Sequence, residues 1–113
     1  MNIKFHKPYH FEGVNYASIH LDLDSLTGNM VIQAENNLRS SGDMSPVYEM
    51  APRFGAEIAA LVSKQPIEFF LGLPASDFMR IGRMVRSFLL NGSAEGLPGE
   101  EAFNEDEEAV VAQ

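Results

Sequence analysis

The chain has 113 residues, 45% of them apolar, with no cysteine and a net charge of −8. That length gives one domain with a modest core, the missing cysteine excludes disulfides and thiolate metal sites, and no apolar run approaches the ~20 residues of a membrane-spanning helix. The charge sits at the end: Ser93 to Gln113 carries seven acids and no base, while residues 1–92 hold nine acids against eight bases, a net of −1.

Residues 3–21 are rich in β-formers and read as a hairpin. Phe5, Tyr9, Phe11, Val14, Tyr16 and Ile19 flank Glu12-Gly13, where glycine supplies the positive φ of a tight turn. Pro8 cannot donate a ladder bond, so the first strand is expected on an edge or to start after Pro8. Asp24 or Thr27 then caps a helix carrying Met30, Val31, Ala34 and Leu38 on one side and running to about Ser40. Ser41-Gly42-Asp43 ends it, and residues 42–51 form a loop anchored by Val47, Tyr48 and Met50.

Pro52 suits the first position of a second long helix, with Phe54, Ile58, Leu61 and Val62 as its stripe. Pro66 stops it and starts a short helix, Ile67 to Leu71, closed by Gly72. The last helix runs from Ala75 to Leu90. Phe78, Ile81, Gly82, Val85, Phe88 and Leu89 share one face, and Arg80, Arg83 and Arg86 lie opposite with Met79 and Leu90. Gly82 on the apolar face implies close approach of another helix. Beyond Asn91-Gly92 the composition buries too little to repay its ordering entropy. The expected organisation is one α+β domain over 1–92, a β-hairpin with a bundle of three to four helices, and a flexible acidic tail over 93–113.

Little in the chain points to catalysis. His6, His10 and His20 lie in the hairpin. His6 and His10 are four apart, which would suit a helix, but Pro8 and the β pattern argue against one, and on a strand they share a face too far apart to hold a metal. Asp22 and Asp24 suit a turn or cap better than acid/base work. No serine stands in a nucleophile elbow, and no phosphate loop or dinucleotide fingerprint occurs. Neither a metal nor a cofactor is expected. Arg80, Arg83 and Arg86 make too small a basic cluster for nucleic acid. The first seven residues lack the apolar stretch of a signal peptide, so an intracellular protein is expected. What remains is a binding or assembly protein. Its candidate partner-binding residues are Met79, Arg80, Arg83, Arg86 and Leu90, a mixture of methionine and arginine that suits an interface.

The order of motifs carries a resemblance. Phe11-Glu12-Gly13 leads through Tyr16 to Leu21-Asp22-Leu23, and Leu26-Thr27-Gly28 opens a helix bearing Ala34-Glu35. Pro66-Ile67-Glu68-Phe69-Phe70 precedes Leu73-Pro74-Ala75 and Asp77, then Val85 and Phe88-Leu89. Over residues 5–91 this resembles the small tail assembly chaperones of long-tailed bacteriophages. The resemblance implies a non-enzymatic protein of the bacterial host cytoplasm that binds the tape measure protein. It keeps that long helical chain soluble until tail-tube subunits polymerise around it, and is absent from the mature virion. It also implies, for many members, a longer form made by ribosomal frameshifting. The tail tube protein and a second copy of the chain are further candidate partners. A rival reading is a regulatory adaptor or inhibitor whose acidic tail occupies a basic partner. Gene neighbourhood separates the two: a tail-tube gene before and a very long coiled-coil gene after favour the chaperone.

Overall fold

The computed structural model describes residues 1–92, except the side chain of Glu49. The segment expected to be an acidic tail, 93–113, lies outside them. The fold is α+β: an antiparallel hairpin followed by four helices. Strand β1 spans Asn2–Phe11 and β2 Val14–His20. Helices α1 (Gly28–Ser40), α2 (Pro52–Ser63), α3 (Ile67–Leu71) and α4 (Ala75–Asn91) follow. Among the described residues two compact units are distinguished, Met1–Arg83 and a second that begins at Met84, with the boundary inside α4.

The hairpin turn is Glu12-Gly13, with φ of 50° and 82°. Both central residues are left-handed, as in the mirror-image turn whose twist matches the strands. The ladder then breaks. Asn2 to Lys4 pair with His20 to Ser18, and Tyr9 to Phe11 with Tyr16 to Val14. Between these runs Phe5 to Pro8 face only Ala17. Pro8 lies in this bulge, where no ladder bond is asked of it. β1 therefore starts well before Pro8.

Phe69 of α3 is fully buried and is the centre on which the hairpin packs. Ring centroids of Tyr9 and Phe11 stand 5.1 Å from it, and those of Tyr16 and Phe70 5.0 Å, all edge to face. Such pairs add about 0.5–1.5 kcal/mol each beyond area burial. Tyr9 Oη also donates to the Phe69 carbonyl at 2.8 Å. Gly72 ends α3 in a right-handed conformation (φ −89°), so its role is not the left-handed stop. A Cβ there would stand 2.6 Å from Tyr9 Oη, and lack of a side chain is what admits the tyrosine.

Thr27 is the cap of α1: its Oγ1 accepts from Met30 N at 3.3 Å. Ala34 and Leu38 are buried, Met30 and Val31 half-buried. α2 departs most from its expected stripe. Every residue from Phe54 to Ala60 is buried. The helix packs against α1 on one side and α3 on another, and α4 crosses it at glycine. A Cβ on Gly55 would come within 2.8 Å of Gly82 Cα. The close approach expected at Gly82 is thus met by a second glycine, and Ala56, Ala59 and Ala60 keep α2 thin enough to be central.

In α4, Ile81 and Val85 are buried as their spacing requires, but Phe78, Phe88 and Leu89 are only half-buried. The buried line runs through Asp77, Ile81 and Val85, at intervals of four, and includes a carboxylate that hydrophobic periodicity cannot count. Ser87 is buried as well.

Candidate functional site

The residues expected to bind a partner do not share one environment. In the first unit, Met79 is 48% exposed and Arg83 is exposed. Arg80 is not open in the same way. Its Nη2 donates to the Lys4 carbonyl and, at 3.2 Å, to Asp77 Oδ1. Through these bonds Arg80 ties α4 to β1. In the second unit, Leu90 is 72% exposed and Arg86 half-buried.

The α1–α2 connection was legible only as a loop with anchors, and the anchors are redistributed. Tyr48 does anchor it, edge-on to Phe54 at 5.0 Å. Val47 and Met50 do not: with Met44 they are more than half exposed. The loop is nonetheless built. Arg39 Nη1 donates to the carbonyls of Ser45 (2.6 Å) and Asp43 (3.3 Å), and its guanidinium lies 5.8 Å from the Tyr48 ring centroid. Asp43 Oδ1 accepts from Ser45 N (3.0 Å) and Ser45 Oγ (2.5 Å). Those bonds from Ser45, with Arg39 and Arg53 adding attraction, hold the Asp43 carboxyl below the usual aspartate range. One arginine and one aspartate thus organise a segment whose large apolar side chains face water. The sequence signal for this was Arg39 and the Asp43-x-Ser45 spacing, a local side-chain-to-backbone turn.

Beside this loop a groove of about 450 Å³ is lined by Asn37, Ser41, Arg53, Glu57, Leu61 and Gln65. Glu57 is buried and accepts from Arg53 Nε at 3.0 Å. The two charges offset each other, so the groove offers amides, hydroxyls and apolar side chains with no net charge.

The histidines do not converge. His10 Nδ1 meets Asn15 Oδ1 at 2.8 Å, His20 Nδ1 meets Asn2 Oδ1 at 2.7 Å, and His6 Nδ1 reaches Asp77 Oδ1 at 2.8 Å. The first two bridge residues directly opposite in the ladder, a strand-stabilising arrangement. Asp22 and Asp24 are both exposed, and the Asp22 carbonyl accepts from Ser25 Oγ. Among the described residues no group of three or more His, Asp or Glu side chains is placed to hold a metal. Among them no helix is long and apolar enough to cross a membrane. Asp77 was missed as a buried group, because an acid two residues into a helix ordinarily serves the helix dipole at the surface. Comparison with protein-family models, curated proteins and solved structures yields no match.

Proposed function

We propose that the chain is an assembly chaperone of the phage-tail kind, which binds the tape measure protein and keeps it soluble while the tail tube forms. The observation that carries this reading is the α1–α2 loop. It is held by Arg39, Asp43 and Ser45, yet Met44, Val47 and Met50 project into solvent. Ordering a loop costs conformational entropy, about 1–2 kcal/mol per residue, and exposing three large apolar side chains on it returns nothing to the folded monomer. Methionine also adapts to surfaces that vary along a client. The order of motifs from Phe11 to Leu89 supports the same reading. So do Met79 in the first unit and Leu90 in the second, each with an arginine nearby in sequence. On this proposal the protein is non-enzymatic, acts in the host cytoplasm and leaves before the virion is complete.

Co-expression with a candidate tape measure protein tests it. The wild-type chain should carry the client into the soluble fraction. Met44→Glu with Met50→Glu should abolish that, because charges would be buried against an apolar seam. Met79→Glu and Leu90→Glu, made separately, should each weaken it. All these variants should keep the helical signal of the wild type, since every altered side chain is exposed. A client equally soluble with and without the chain would remove the proposal.

A further inference from the structure

Where β1 leaves its ladder, Phe5 turns into the core and His6, Lys7 and Pro8 stay exposed. Two polar links join this stretch to α4, and they are unequal. Arg80 serves both the Lys4 carbonyl and Asp77, and its side chain is 29% exposed. His6 is 63% exposed at the side chain, and Asp77 is its described partner. Asp77 itself is fully buried.

These differences decide which link yields first. Losing Arg80 would leave a buried carboxylate without its permanent cation, a costly change. Releasing His6 only returns an exposed imidazole to water, and Asp77 keeps Arg80. The ladder on each side is anchored independently. Ile3 and Ile19 are buried at one end, and Tyr9 and Phe11 pack on Phe69 at the other.

We propose that His6, Lys7 and Pro8 form a latch that opens by itself. His6 leaves Asp77, the three already exposed residues move away from α4, and both paired runs of the hairpin stay closed. The open form gives Asp77 Oδ1 an acceptor position for a donor group from outside the chain, beside a guanidinium that already balances its charge. The device goes beyond the chaperone reading and does not depend on it.

Nitrogen-15 relaxation dispersion on the full chain tests the latch, because local opening falls in the microsecond-to-millisecond range that dispersion detects. Exchange is expected at the amides of His6, Lys7 and Asp77 and not at Ile3, Lys4, His10 or Phe11. His6→Ala should abolish that exchange and raise fast mobility at Lys7, leaving the melting midpoint within about 4 °C of wild type. Lys7→Ala should leave the exchange in place. Wild-type chain with no exchange in the bulge, or with exchange spread evenly over the hairpin, would overturn the latch. So would a His6→Ala midpoint that falls as far as that of Phe69→Ala.

Discussion

Phe69 touches the rings of Phe5, Tyr9, Phe11, Tyr16 and Phe70, so its removal strips the hairpin of its packing partner. Phe69→Ala should cost roughly 3–5 kcal/mol, a large share of the stability of so small a domain. Phe88, only half-buried, should cost less when cut to alanine, and urea denaturation of the two variants will rank them. Asp43 makes a prediction in pH. Its folded-state carboxyl titrates below the unfolded one, so it favours the folded loop above the ordinary aspartate range. That contribution is lost as the pH falls through the folded value. Ser45→Ala removes the largest cause of the shift and should move Asp43 back up toward the ordinary range. An NMR titration of the Asp43 side-chain carboxyl carbon in both proteins checks it; coincident curves would show that Ser45 does not hold the carboxylate.

Elements differ in how plainly the sequence announces them. The hairpin turn, Thr27 as cap, Pro52 at the start of α2 and the bounds of α3 follow from local chemistry, and local chemistry is what a sequence displays. The burial of α2 does not, because it is decided by what packs against it. Glycine and alanine at 55, 56, 59 and 60 look neutral in a stripe count, yet they let a neighbouring helix come close. The same limit hid Asp77 and the reach of Arg80, since both depend on a residue more than 70 positions away in β1. Gly55→Ala is the direct test of the crossing. Its Cβ meets backbone at Gly82, not the end of a flexible side chain, so one helix must shift. Overpacking of that kind costs about 1–3 kcal/mol, more than alanine's helix propensity returns. Gly28→Ala, with open space around its Cβ, is the control and should be neutral or stabilising. A Gly55→Ala melting midpoint at or above wild type would show that the crossing is loose.

For the whole molecule, the sequence divides stability from charge. The described residues 1–92 contain the hairpin, the four helices and every buried side chain named above, and they carry a net charge of only −1. The remaining seven negative charges come from Ser93 to Gln113, a stretch with little to bury. Cutting the chain after Gly92 should therefore separate two properties. The thermal midpoint should stay within about 4 °C of the full chain, because no buried contact described here is removed. Solubility near neutral pH should fall, because a protein close to zero net charge loses the self-repulsion that keeps molecules apart. The exposed side chains of Met44, Val47, Met50 and Leu90 would then meet one another more often. Light scattering against concentration, beside a melting curve, reads both at once. A truncated chain that melts far lower would make residues 93–113 part of the fold. One that melts as before and stays equally soluble would show that the acidic charge serves something other than keeping the chain apart from its own copies.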